Sequence, residues 1–450
     1  MKKRSGRIGY ARRRRWPGFA HLIVAAMLLA GCAYSLVSGD HVNSSQAEKI
    51  EAGLPTLRQL QFKQPVPLVV KTRDEAEAMI EADMMRDYTD SQLQVEGIVG
   101  ALLGLYPSQM DLKAETLKLL RSQVAGFYDA HEKTMVLVKG GADLGFWNAT
   151  SQFLIQRDLV GEMLLAHELT HALQDQNFGL EKSLDAVKDN DDRALALKAV
   201  AEGDATLAGF AYAMGRMDND ISNRLIGGLK GMPQSLAAES PGTPEGLSVP
   251  LLFQYSEGVR FVAEAYRRGG WSAVDALYQR PPESTHQILH PGIFFEDRAH
   301  TPRIALSGYE QIMHGWRKVD DSTYGELLLR VILERNLGKQ SSEIAIASRW
   351  TADRMIVLQQ SRGLNVIWML TFTDKQTASH FAVVYATLLD RLLGGASAHR
   401  IDYRANAALV IIGEGANYFD QLAPAIWNAS TIETASTSTQ IAVPPTPDEQ

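Results

Sequence analysis

The chain has 450 residues, of which 45% are hydrophobic and 22% charged, enough apolar material for a large core and two or three domains and unlike a disordered or fibrous composition. Its net charge is −7, yet eight basic residues and no acid stand before residue 16, so setting those eight aside leaves −15 for the rest. An acidic body with no sustained basic patch argues against nucleic-acid binding, because phosphate contacts need clustered lysine and arginine.

The amino terminus accounts for that asymmetry. Met1 to Arg15 is a basic segment and Phe19 to Ala30 an apolar one of about a dozen residues, too short for a stable membrane span, so residues 1–31 read as a secretory signal peptide. It ends in Leu29-Ala30-Gly31-Cys32, which resembles the lipobox of bacterial lipoproteins. That resemblance implies lipidation of Cys32, the only cysteine, and a body held at the membrane of the cell envelope. Ala33 in place of an aspartate resembles the sorting pattern of outer-membrane lipoproteins, with the body on the periplasmic face. A single cysteine also excludes an intramolecular disulfide.

Residues 32–55 are polar, with Ser-Gly-Asp and Asn-Ser-Ser clusters, and read as a flexible tether; order is expected from about Leu57. Pro65 to Val70 predicts a strand, Asp74 to Met85 a helix capped by Thr72 or Asp74, and Asp90 to Leu105 and Leu112 to Gln123 two further helices. The period then changes. Ala125 to Asp129 and Thr134 to Val138 flank a polar Ala-His-Glu-Lys turn and predict a β-hairpin whose edge is a candidate rail for an extended substrate.

The next helix, about Leu154 to Gln176 with a stop near Gly179, carries His167-Glu168-Leu169-Thr170-His171. On a helix the two histidines lie one turn apart on one face, so both imidazoles reach one metal while Glu168 addresses a metal-bound water. A second helix, Arg193 to Met214, follows the cap Asn190-Asp191-Asp192 and contains Glu202 among Leu195, Leu197, Val200, Leu207 and Phe210. A carboxylate in such surroundings is either paired or a metal ligand, so Glu202 is the natural third ligand beside His167 and His171. Glu181, Asp185, Asp191 and Asp192 are its rivals. Asp204 and Asp175 are candidates to orient the histidines as hydrogen-bond acceptors.

The parts fit peptide hydrolysis: zinc as cofactor, Glu168 as general base, a protein or peptide as substrate. The oxyanion needs a further donor, for which Tyr255, His286 and His290 are available; His290 and Tyr255 are taken as the catalytic candidates and His286 as structural, the alternative being that His286 and His290, four residues apart, form a second metal pair, against which Pro291 and the preceding prolines suggest a loop or a short helix. Gly227 to Val249, rich in Gly, Pro and Ser, reads as a loop over the cleft, and Tyr255 to Val262 opens another helix.

The H-E-L-T-H helix with a downstream helical glutamate resembles the gluzincin group of zinc metallopeptidases. The match is closer to an uncharacterised group of exported prokaryotic metallopeptidases. It rests on Val124 to Asp129, His167 to Gln176, Glu202 to Thr206, Gly269-Gly270-Trp271, Pro281 to Thr285 and Gln287 to Pro291. The resemblance implies a zincin-like catalytic domain over residues 56–335, zinc and proteolysis. One departure stands out: four residues after the third ligand, where thermolysin-like enzymes have an aspartate that supports a histidine, this chain has Thr206.

Residues 336–427 predict a small α+β layer in ββαβ order, with strands Arg354 to Gln359, Asn365 to Thr371 and Ala407 to Ile412 and a helix from Gln376 to Leu393. The Thr-, Ser- and Pro-rich residues 428–450 read as a disordered tail. The expected class is α+β: a helix-rich catalytic domain with a small edge sheet, then the carboxy-terminal layer. No P-loop and no G-x-S-x-G elbow is present, so nucleotide hydrolysis and serine-type hydrolysis lack support.

Overall fold

A computed structural model describes residues 37–38, 41–123, 126–139, 159–229, 242–361, 363–395 and 398–433. The signal peptide, Cys32, residues 154–158 of the expected histidine helix, residues 230–241 of the expected loop and residues 434–450 of the expected tail lie outside them.

The amino-terminal body opens with a two-stranded ladder, β1 (Val37–Ser38) and β2 (His41–Val42), and helix α1 (Ser44–Arg58). Here the tether reading is corrected. Asn43 caps α1 by accepting from the Gln46 amide, and Ala47, Ile50 and Leu54 recur at helical spacing and are buried, so the helix docks in spite of its polar composition. There follow β3 (Leu68–Lys71), α2 (Arg73–Asp87), α3 (Asp90–Leu103) and α4 (Leu112–Gln123), close to expectation. Thr72 with Glu75 and Thr89 with Gln92 form complete capping boxes, a purely local chemistry that sets where α2 and α3 begin. The hairpin β4 (Gly126–Asp129) and β5 (Thr134–Val138) adds to β3 in the order β3-β5-β4, with β3 parallel and β4 antiparallel to β5. β4 is therefore an edge.

Helix α5 (Leu159–Phe178) carries the histidines and ends at Gly179, whose φ of 64° is the left-handed stop. The short α6 (Leu180–Asp185) leads to α7 (Asp191–Met214), capped by Asn190. The expected loop is corrected at both ends: Asn219–Leu229 is helix α8, and α9 (Glu245–Gln279) begins at Glu245 and bends at Gly269 and Gly270. Leu165, Ala166, Leu169, Ala172 and Leu173 of α5 pack with Ala196, Ala199, Val200, Leu207 and Ala208 of α7 and Val259, Phe261, Val262 and Ala265 of α9 in one core. Each leucine so buried contributes about 2 kcal/mol.

The three helices approach backbone to backbone at glycines. A Cβ on Gly203 would lie 2.4 Å from the Gly258 carbonyl, one on Gly258 2.2 Å from the Ala199 oxygen, and one on Gly209 2.6 Å from the Met163 oxygen. No other residue permits these crossings, and they bring Glu202, Tyr255 and His167 to one place.

Two short helices, α10 (Thr285–Leu289) and α11 (Pro291–Phe295), lead through β6 (Arg303–Ala305) to the second unit. This contains β7 (Arg317–Ser322), α12 (Gly325–Leu337), β8 (Trp350–Gln360), β9 (Gly363–Phe372), α13 (Lys375–Leu393), β10 (His399–Arg404), β11 (Ala407–Ile412), α14 (Phe419–Ala429) and β12 (Thr431–Glu433). Five strands form an antiparallel sheet in the order β10-β11-β9-β8-β7. Both faces are covered: Met355, Val357, Trp368, Leu370 and Val410 pack under α12 and α13, while Ile356, Ile367, Met369, Leu409 and Ile411 pack against Leu422 and Ile426 of α14. That double burial explains the unbroken apolar run of β11.

The α+β class stands, but the boundary at 335/336 is corrected. Leu93, Val99 and Leu103 of α3 and Leu329, Ile332 and Leu333 of α12 share one core with the sheet, so the division passes through packed side chains. The tail is corrected as well: α14 runs to Ala429, and β12 pairs with β6 through Ile432 and Ile304.

Candidate metal centre

His167, His171 and Glu202 converge. The two imidazole rings meet edge to face with centroids 4.8 Å apart. Their Nε2 atoms are 3.2 Å apart, and Glu202 Oε2 lies 3.2 Å from His167 Nε2 and 3.6 Å from His171 Nε2. Donors about 2.0–2.1 Å from a tetrahedral ion stand about 3.4 Å from one another, so this spacing fits one shared metal ion. Glu202 Oε2 is buried with no well-directed hydrogen-bond donor, a state a carboxylate tolerates when it is a ligand. Three of the four rivals are engaged elsewhere: Glu181 with Lys133 and His131, Asp191 with Ser322, Asp192 with Thr285.

The charges at the site shape one another. Burial opposes ionisation of Glu202, but His171 and His167 hold its carboxyl well below the usual range. Burial opposes a cationic His171, and Glu202 and Glu168 nevertheless raise it to about 9. Burial pushes Glu168 above the usual carboxylate value against the pull of the two histidines. A metal takes only the neutral imidazole, so metal uptake near pH 7 should release the His171 proton and affinity should climb as pH rises toward about 9. Zinc titration calorimetry at pH 7 in buffers of different ionisation enthalpy reads that proton directly; heats that do not vary with the buffer would contradict it.

The supporting contacts differ from expectation in an instructive way. His171 Nδ1 is held by Gln174 Oε1 at 2.9 Å, and the Gln174 amide donates to the Ala201 carbonyl at 2.9 Å and to Asp204 Oδ2 at 3.1 Å. Asp204 therefore acts on His171 only through Gln174. Its main partner is the fully buried Arg58, which donates from Nε at 2.7 Å and from Nη2 at 3.1 Å, while the Tyr278 hydroxyl donates at 2.8 Å. His167 Nδ1 faces Thr206 Oγ1 at 3.4 Å, so the residue one turn after Glu202 addresses the first histidine. Sequence reasoning missed Gln174, although a glutamine three residues after a ligand histidine lies on the same helix face.

Asp175 touches neither histidine, which corrects its expected role. It accepts from the Tyr128 hydroxyl at 3.2 Å and from Lys133 at 2.8 Å and so fastens the hairpin to α5. From the same hairpin the Tyr128 amide donates to Glu168 Oε2 at 3.2 Å. Among the described residues no strand pairs with the outer edge of β4. Tyr255 lies across His167 with ring centroids 6.2 Å apart, and the Glu202 and Glu168 charges together with burial keep its phenol protonated.

His290 is not part of this group. Its Nε2 donates to the Glu326 carboxylate, 3.1 and 3.0 Å from the two oxygens, with His286 on the same carboxylate. The charges acting on it are Glu326, Arg260 and Arg330, none of the first triad. The expectation of a catalytic His290 beside His167 and His171 is therefore corrected.

The profile of a family described as a domain of unknown function (DUF8575) matches residues 310–432. The match spans the five-stranded unit and leaves His167, His171 and Glu202 outside. No curated protein and no solved structure matches the chain.

Proposed function

We propose that the protein is a zincin-like zinc metallopeptidase of the bacterial envelope, exported and anchored by lipid at Cys32. The observation that carries this reading is the convergence of His167, His171 and Glu202 with Glu168 beside them and an open strand edge, β4, touching Glu168. Zinc held by the triad would polarise a scissile carbonyl and lower the pKa of a bound water. An extended peptide adds to β4 by main-chain hydrogen bonds, which sets its carbonyl in register with Glu168. Glu168, raised by burial toward the working pH, takes the proton of the attacking water and returns it to the leaving amine. The protonated Tyr255 hydroxyl donates to the oxygen that gains charge.

The test uses the full-length chain purified in detergent and loaded with zinc. Peptide-library cleavage that disappears on chelation and returns with zinc is expected, and Glu202→Ala should lose the metal equivalent of this triad together with the cleavage. Unchanged metal content in Glu202→Ala would reassign the third ligand, and the absence of cleavage across the library in zinc-loaded wild type would overturn the peptidase reading.

The anchor rests on Leu29-Ala30-Gly31-Cys32. No helix among the described residues is long and apolar enough to cross a membrane. Cys32→Ser should move the protein from the membrane to the soluble fraction and abolish metabolic labelling with a fatty acid, and continued labelling would refute the assignment.

A further inference from the structure

A second trio of ligand-type side chains lies outside the site described above. His286 Nδ1, His290 Nε2 and the carboxylate of Glu326 lie within 4.8 Å of one another. The two rings are 4.7 Å apart, and both address Glu326, which is 2% exposed. The trio joins two units: the histidines belong to α10 and its carboxy-terminal cap, the glutamate to the first turn of α12.

The elements that carry these donors are tied together one residue away from the donors themselves. Thr285, next to His286, accepts from the Leu327 amide, next to Glu326, at 3.2 Å. The buried Asp192 accepts in turn from the Thr285 amide at 3.0 Å and from its hydroxyl. Ser284 caps α10, and Gln287 is bonded to Glu283 and Ala299 on either side. The three donors are thus held before any ligand arrives, the condition for a stiff site.

Charge points the same way. Asp192, Glu326 and Asp353 are 1%, 2% and 3% exposed, and among the described residues no lysine or arginine pairs with any of them. Asp353 is satisfied by four N–H donors, from Trp350, Trp368, Tyr324 and Gly325. Among the described residues Glu326 has only the imidazoles. Trp350 closes one side, its ring 5.8 Å from His286, while the His290 side chain is 39% exposed and leaves the opposite side open to a water ligand.

We propose that His286, His290 and Glu326 form a second divalent-metal site that clasps α10 to α12. Two imidazole nitrogens and one carboxylate suit zinc and its first-row neighbours, whereas magnesium and calcium want oxygen alone. The fourth position is solvent.

The probe is zinc itself, measured as equivalents per full-length chain after loading and exhaustive dialysis. Wild type should retain about two equivalents, His290→Ala about one, Glu202→Ala about one, and the double variant none. His290 is the first choice because it is partly exposed; Glu326→Gln, nearly isosteric, repeats the test should the alanine variant unfold by circular dichroism. Two equivalents retained in folded His290→Ala and Glu326→Gln would overturn the second site, as would a single wild-type equivalent that disappears only with Glu202. One wild-type equivalent that survives Glu202→Ala and is lost with His290→Ala would support it while removing the first triad's zinc. No retained zinc at all would overturn both.

Discussion

Glu168→Gln should lower peptide cleavage by roughly 10²- to 10⁴-fold while zinc content stays at the wild-type value, the range associated with loss of a positioned general base. Glutamine has nearly the shape of glutamate and keeps a carbonyl oxygen for the Tyr128 amide, which reaches Glu168 Oε2 at 3.2 Å. The hairpin should therefore hold its place beside α5, the more so because Asp175 and Lys133 fasten it independently. The three candidate ligands are untouched. What disappears is a carboxylate whose affinity for protons burial has raised, and with it the group able to take a proton from water and give it up again. Parallel measurement of kcat/KM and of zinc per chain separates the two effects. Activity within tenfold of wild type would assign the base elsewhere, and loss of zinc with the activity would make Glu168 a structural part of the centre.

How far the chain could be read from residues alone follows the range of the forces involved. Helix α4 and the hairpin β4–β5 fall where spacing predicts them, and the start of α7 at Asn190 agrees with its side chain's hold on the Arg193 amide. These are signals carried within four residues. The convergence of the candidate ligands was legible for a similar reason: His167 and His171 share one helix face, and Glu202 is a carboxylate among apolar neighbours. Arg58, 146 residues from its partner Asp204, gives no such signal, and neither does Glu326, 36 residues from His290. Helix α1 was hidden because three buried apolar positions sit among Ser, Gln, Glu and Lys. Strand β10, His399–Arg404, was hidden because it is a charged edge whose ladder with β11 is sequentially near but compositionally silent. The partition between body and carboxy-terminal layer failed at α3 because amphipathic spacing shows that a face is buried and not against what.

The largest loss of stability from one substitution is expected at Arg58→Met. The guanidinium is fully buried, bonded to Asp204 by two nitrogens, paired with Asp275 at 2.7 Å and stacked 4.5 Å over the Trp271 ring. Methionine fills much of the stem's volume, so the change removes charge and forked hydrogen bonding more than packing. Asp204, 0% exposed, is then left with only the Tyr278 hydroxyl and the Gln174 amide, and an uncompensated buried carboxylate costs about 3–5 kcal/mol. The damage should reach the metal centre along Asp204, Gln174 and His171, because an Asp204 carboxylate no longer held by Arg58 is free to shift and takes with it one of the two acceptors that fix the Gln174 amide, and loss of such support weakens zinc by roughly 10- to 100-fold. Denaturant midpoints of the metal-free chain and zinc competition with a chelator measure the two effects separately. Adding Asp204→Leu to Arg58→Met removes the stranded charge and should restore much of the lost stability, yet it should leave the zinc affinity low, since the Gln174 amide then keeps only the Ala201 carbonyl. Full recovery of both in the double variant would mean that the buried ion pair supports the fold alone and has no hold on the histidine.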